Sequence, residues 1–191
     1  MKKRIGILGG TFDPPHIGHL IIADQILNLY KLDEIRFMPN YLPPHKEKHS
    51  NTTIQDRLRM LELSIKEHDR FKIETIELNR KEKSYTYNTM VLLKQLEPDH
   101  EFYFIIGGDM IDYLPKWYKI EELMELVQFI GVKRPMSKGE TTYPIQFVEI
   151  PSIYISSSMI REKIADGQSV KYLLPEHVIC YIEEHKLYGT K

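Results

Sequence analysis

The run Lys3-Arg4-Ile5-Gly6-Ile7-Leu8-Gly9-Gly10-Thr11-Phe12-Asp13-Pro14-Pro15-His16-Ile17-Gly18-His19 decides how this chain is built. Lys3 to Leu8 is short and aliphatic, as a strand buried on both faces of a sheet must be, and Gly9-Gly10 reads as the tight turn that ends it. From His19 to Tyr30 the apolar residues Leu20, Ile21, Ala23, Ile26, Leu27 and Tyr30 fall close to helical spacing. Strand, glycine turn and amphipathic helix together form the first half of a β-α-β unit.

Outward from this unit the same alternation continues. Glu34 to Met38 is a strand stopped by Pro39, and a polar loop runs from Asn40 to Asn51. Thr53 to Glu67 is a helix with Ile54, Leu58, Leu61 and Ile65 on one face. Phe71 to Leu78 alternates as a strand does, and Thr86 to Leu96 is a helix ended by Pro98. Glu101 to Ile106 is a strand running into Gly107-Gly108-Asp109; Glu121 to Leu126 is helical; Gln128 to Val132 is a strand before Arg134-Pro135. Phe147 to Ile150 is the last strand. Ser156-Ser157-Ser158 offers hydroxyl caps to a helix reaching about Ala165, and Pro175 suits the first position of a final helix ending near His185. The expected fold is therefore α/β: a single doubly wound, Rossmann-like domain over residues 1–191, with a mostly parallel sheet flanked by helices. Its C-terminal helical part begins at about residue 156. Ligands in such sheets lie beyond the carboxyl ends of the strands, which directs attention to Gly9, Pro39, Gly107 and Arg134 onward.

Composition narrows the function classes. A chain of 191 residues with 42% hydrophobic and 28% charged residues can bury roughly 70% of its unfolded surface without disulfides or a structural metal. With 26 basic against 27 acidic residues the net charge is −1, so a broad nucleic-acid surface is not expected. Cys180 is the only cysteine, which excludes an intramolecular disulfide and a thiolate zinc cluster; within Val178-Ile179-Cys180-Tyr181-Ile182 it reads as a packed, inert thiol. The apolar run after Met1-Lys2-Lys3-Arg4 is too short for a signal-peptide core, and no run approaches membrane-spanning length. A cytoplasmic protein without a membrane partner is the expectation. Aromatics near Tyr172 and Tyr181 look exposed and permit a homodimer.

The chemistry concentrates in Gly9 to His19. Glycines after the first strand let backbone N–H groups approach phosphates, and the helix starting near Gly18 aims its positive end at the same place. His16 and His19, three residues apart at that helix start, can both donate to an α-phosphate as charge builds on it. Late in the chain, the serine-capped helix start with Arg161 one turn along can hold β- and γ-phosphates.

These two strings resemble the half-motifs of the nucleotidyltransferase superfamily with the His-x-Gly-His signature. Ile155-Ser156-Ser157-Ser158-Met159-Ile160-Arg161 is similar to the superfamily's Ile-Ser-Ser-Thr-x-Ile-Arg, with Ser158 where threonine is usual. Pro43-Pro44-His45-Lys46, Tyr85-Thr86, Gly107-Gly108-Asp109, Trp117 and Arg134-Pro135 extend the likeness to the bacterial nicotinate-mononucleotide adenylyltransferases, over nearly the whole chain. The resemblance implies catalytic roles for His16, His19 and Arg161. It implies that ATP is held by Gly9, Gly10, Thr11, Phe12, Gly107, Asp109, Arg134, Ser156 and Ser157, with Asp109 on a ribose hydroxyl or as a helix cap. Lys46, Thr86, Trp117 and Tyr118 would meet the mononucleotide, Trp117 stacking on the pyridine and Thr86 reaching its carboxylate. The implied partners are ATP and nicotinate mononucleotide, with Mg²⁺ carried on the ATP phosphates and no protein metal site.

Three other readings share residues with this one. His16-Ile17-Gly18-His19 is also the literal signature of class I aminoacyl-tRNA synthetases, and Met136-Ser137-Lys138 echoes their second motif, but the chain lacks room for tRNA-binding domains. Another small adenylyltransferase, such as the phosphopantetheine enzyme, would share both half-motifs but lack Trp117 and Pro-Pro-His-Lys. A silent nucleotide sensor would not need Arg161 and the serines as an exit for pyrophosphate.

Overall fold

The computed structural model describes residues 2–42, 52–132, 141–151 and 154–190, with the side chain of Asp109 left aside. Lys46 and Arg134 lie outside the described residues. Arg4–Gly10 (β1) is the centre of a sheet, flanked by Glu34–Pro39 (β2) on one side and Glu101–Gly107 (β4) on the other. Phe71–Ile73 (β3) extends the first side, and Gln128–Val132 (β5) and Ile145–Val148 (β6) extend the second. The six strands run β3-β2-β1-β4-β5-β6 and every pairing is parallel. Strand order reverses between β1 and β4, the point where a doubly wound sheet opens a crevice.

Both faces of the sheet are covered, which is why its strands read as continuous apolar runs. On one face Leu8, Phe37 and Ile105 pack under Ile17–Leu29 (α1) and Ile54–Ile65 (α2) through Ala23, Ile26, Leu27 and Leu61. On the other, Ile7, Phe104 and Phe129 meet Met90 and Leu93 of Thr86–Leu96 (α4) and Leu123 of Ile120–Leu126 (α6). Each such side chain, fully buried, contributes about 1.5–3 kcal/mol. A third cluster joins Met60 of α2 to Ser157–Ala165 (α7) and Glu176–Glu184 (α8), through Ile160, Ile164, Val178 and Ile182.

Several local expectations need correction. Gly9 and Gly10 are the last two residues of β1, paired with Met38 and Pro39, and the turn comes later, at Phe12 with φ of +52°. The helix α1 starts at Ile17, one residue before the Gly18 start expected. The strand expected over Phe71–Leu78 stops at Ile73, and Ile76–Arg80 is a short helix (α3). The last strand is Ile145–Val148 instead of Phe147–Ile150. Pro175 is the residue that caps α8 and precedes its first turn. A four-residue helix, Gly108–Ile111 (α5), follows β4, and its N-cap is Gly107, so Asp109 is not the cap.

Cys180 is exposed, contrary to the packed thiol expected. In α8 the buried face is Val178 and Ile182, and a residue two positions from each is turned roughly 200° away from both. Tyr172 is 81% exposed, whereas the Tyr181 hydroxyl donates to Asp56 at 2.9 Å inside the fold. Among the described residues no helix is long and apolar enough to cross a membrane.

Candidate active site

The backbone leaves β1 at Gly10 and reverses at Phe12. That residue sits in the left-handed region, which costs about 1 kcal/mol or more for a non-glycine. Its ring turns back beneath Gly10, and the residue is 1% exposed. A β-carbon at Gly10 would come within 2.9 Å of that ring, and this explains the need for glycine there. The turn is held from outside. Arg57 of α2 donates to the carbonyls of Thr11 (2.8 Å) and Asn40 (2.9 Å), and Asn40 N–H donates to Gly10 O at 3.0 Å. Burial lowers the Arg57 pKa, while the Asp13 carboxylate nearby works in the other direction.

Asp13 is 8% exposed, and its Oδ1 accepts from the hydroxyls of Thr52 (2.7 Å) and Tyr188 (2.6 Å). His16 caps α1. Its backbone N–H donates to Nδ1 of His19 at 3.2 Å, and the two imidazoles stack with centroids 3.6 Å apart. Because Nδ1 of His19 accepts, the neutral ring carries its proton on Nε2, which can then donate outward to a phosphate. The His19 ring is further fixed by the edge of Phe12 at 5.0 Å.

The second half-motif docks on the first. Ser156 caps α7 by accepting from Met159 N–H at 3.2 Å, which leaves Ser157 and Arg161 to turn toward the Asp13–Pro14 turn. Ser157 Oγ donates to Pro14 O at 2.8 Å, and Arg161 Nη1 donates to Asp13 O at 2.7 Å. Arg161 Nη2 also reaches Ser158 Oγ at 3.2 Å, so serine at this position still supplies the hydroxyl contact. Two helix starts, a glycine pair, two imidazoles and a guanidinium are thereby gathered at the carboxyl end of β1, a constellation suited to a polyphosphate. Gly107 lies across the switch point at the end of β4.

A second group forms on the opposite face. Thr86 is the first residue of α4 and half-buried. The preceding Tyr85 packs against Tyr118 at 5.2 Å, and Lys119 lies 4.9 Å over the Tyr87 ring. Trp117 stands with its edge on Phe104 (5.9 Å) and Phe129 (6.3 Å), so the indole is anchored in the core while staying partly exposed. Phe104 in turn bounds the space beside Gly9, where a β-carbon would meet its ring at 3.3 Å. The two groups thus share the β1/β4 edge. Among the described residues no group of three or more His, Cys, Asp or Glu could hold a metal ion.

The arrangement has counterparts in known proteins. Residues 7–163 match the cytidylyltransferase-like family. A Geobacillus thermodenitrificans protein described as a probable nicotinate-nucleotide adenylyltransferase is 56% identical over 188 residues, 98% of this chain and 87% of its own. A Bacillus licheniformis protein of the same description is 52% identical, covering 98% of this chain and all of its own. The chain belongs to the nicotinate-nucleotide adenylyltransferase family. The Plasmodium falciparum nicotinic acid mononucleotide adenylyltransferase complexed with NaAD superposes with a TM-score of 0.86 at 26% identity, over 99% of this chain and 98% of that one. The same enzyme complexed with APC gives 0.84 at 25% identity, with the same coverage.

For a nicotinate-nucleotide adenylyltransferase, the residues that sequence reasoning missed are the supports of the turn at Phe12: Asp13, Asn40, Arg57 and Tyr188. Asp13 lay inside the quoted motif, and its place directly before Pro14-Pro15 was the available signal. Arg57 and Tyr188 gave none, since they act across 17 and 46 positions and across 175 positions respectively.

Proposed function

We propose that this chain transfers the AMP part of ATP to nicotinate mononucleotide, forming nicotinate adenine dinucleotide and pyrophosphate. The observation that carries this reading is the docking of Ser157 and Arg161 onto the carbonyls of Pro14 and Asp13, which puts both phosphate motifs on one turn.

An oxygen of the mononucleotide's 5′-phosphate attacks the α-phosphorus in line. A new phosphorus–oxygen bond forms, the bond from the α-phosphorus to the bridging oxygen breaks, and pyrophosphate leaves with the electron pair. Phosphate is already ionised at neutral pH, so no general base is required and catalysis is positioning with charge stabilisation. His16 and His19 steady the α-phosphate, backbone N–H groups of Gly9 to Phe12 approach the triphosphate, and Arg161 with Ser156 and Ser157 holds the departing pyrophosphate. Gly107 and Asp109 border the nucleoside, with Arg134 against the adenine. Thr86, Trp117 and Tyr118 receive the pyridine end, and Lys46 neutralises phosphate on entry. Mg²⁺ enters as part of the ATP substrate and neutralises charge on the phosphates.

The test is pyrophosphate release from ATP and Mg²⁺ with nicotinate mononucleotide, nicotinamide mononucleotide and phosphopantetheine in parallel. Preference for nicotinate mononucleotide is expected. Release with phosphopantetheine alone would overturn the substrate, and silence with all three would favour a nucleotide sensor.

A further inference from the structure

Glu77 is an ionisable side chain that the reaction does not use, yet it is 5% exposed and built into a network. It lies in the first turn of α3. The Thr89 hydroxyl, inside α4, donates to its Oε1 at 2.9 Å, and Ser84 supplies a second hydroxyl beside the same carboxyl group. Ser84 Oγ also accepts from Tyr41 N–H at 3.0 Å, and Ser84 N–H donates to Leu42 O at 3.0 Å. Tyr85 N–H closes onto Lys83 O at 3.0 Å. The carboxyl group thus holds the body of α4 through Thr89, whose hydroxyl also lies 3.3 Å from Tyr85 O, beside the corner that Ser84 ties to the segment leaving β2.

Burial pushes the Glu77 carboxyl group up from the usual carboxylate range, with the Ser84 and Thr89 hydroxyls opposing the shift. Burying such a group costs free energy unless its partners are complete, and an apolar residue would fill the same place more cheaply. What the carboxyl group supplies instead is orientation. Thr86 heads α4 directly after this corner, and Tyr85 carries the contact to Tyr118 beside Trp117.

We propose that Glu77 is a positioning residue for the mononucleotide: through Ser84 and Thr89 it fixes the Ser84-Tyr85-Thr86 corner, and so sets how tightly the pyridine carboxylate is read. This rests on the assignment of Thr86 to the pyridine end. ATP, held at the β1 turn by other residues, is bound independently of it.

The experiment is steady-state kinetics of Glu77→Ala, Glu77→Gln and Ser84→Ala with ATP and either nicotinate or nicotinamide mononucleotide. For Glu77→Ala, KM for nicotinate mononucleotide rises about tenfold and the preference for acid over amide falls, while KM for ATP stays within about twofold. Glu77→Gln, which keeps an acceptor for Thr89 and a polar partner for Ser84, recovers most of the loss. Ser84→Ala leaves no core cavity and shifts the same ratio about threefold, so the inference stays testable if Glu77→Ala does not fold. Equal rises in both KM values, no change in either, or failure of glutamine to rescue would overturn the inference alone. A wild-type enzyme indifferent to the acid would overturn the substrate assignment, and this inference with it.

Discussion

The Tyr188 hydroxyl donates a 2.6 Å hydrogen bond to Oδ1 of Asp13, 175 positions away, and so ties the C-terminal turn to the backbone that carries His16. Burial, and then the Asp13 carboxylate, push the Tyr188 phenol above its ordinary pKa. A phenol whose folded pKa exceeds its unfolded value of about 10 stabilises fully below that pH and loses the contribution as pH rises past it. Tyr188→Phe is therefore expected to cost about 1.5–3 kcal/mol at neutral pH, the worth of a hydrogen bond to a charged group. Urea unfolding from pH 7 to 11 checks this, since the gap between variant and wild type should close toward the alkaline end.

The rings of His16 and His19 are stacked, and the His19 ring accepts from the His16 backbone N–H, so they act as a unit. Each alanine substitution should lower kcat by about 100- to 1000-fold, as loss of one well-placed donor does elsewhere. The double variant should fall far short of the product of the two losses, because the first removal already releases its neighbour. Single-turnover pyrophosphate release would measure all three. Fully multiplicative losses would mean that the rings act separately.

Trp117 has two duties that substitution can separate. Its edge contacts with Phe104 and Phe129 predict that Trp117→Ala loses about 2 kcal/mol of stability, less than a fully buried tryptophan would. Trp117→Phe should keep most of that stability but raise KM for the mononucleotide several-fold, since a smaller ring stacks over less area. Thermal unfolding paired with KM determinations distinguishes the two, and an unchanged KM in both variants would leave the indole a packing residue only.

Acid stability should depend on Arg36 and Glu97, joined by bonds of 2.6 and 2.8 Å. The Arg36 hydrogen bonds hold the Glu97 carboxyl below its usual range, against burial that would raise it. Its contribution is therefore present above the unfolded pKa of about 4.3 and vanishes as pH falls through the lower folded value. Glu97→Gln is expected to cost about 1 kcal/mol at pH 7 and progressively less toward pH 3. Urea midpoints across that range would test it, and a gap that widened on acidification would refute it.

What could be read from the sequence was whatever is local. The β1–α1 unit and the serine-capped α7 announce themselves because strand, glycine, cap and apolar stripe lie within a dozen residues of one another. Phe71 to Leu78 misled because alternation continues past Ile73 by coincidence. The last bond to β2 is made by Glu74 N–H to Phe37 O, and Ile76 then begins α3. Gly9-Gly10 misled in another way: the glycines serve the Phe104 and Phe12 rings beside the strand, and the reversal is made by a phenylalanine that no propensity would place at positive φ. Arg57, Tyr188 and Glu77 were invisible because their partners are set by the folded topology and not by spacing along the chain.

Pro14 waits for Ser157 across 143 positions, Asp13 for Arg161 across 148 and for Tyr188 across 175. During synthesis the glycine turn and α1 leave the ribosome early, but the partners that fix them are made last. A nascent chain of this kind carries the Asp13–Pro14 backbone before the hydroxyl and the guanidinium that tie it down exist. The turn is therefore fixed long after its own residues are made, by bonds to Ser157, Arg161 and Tyr188.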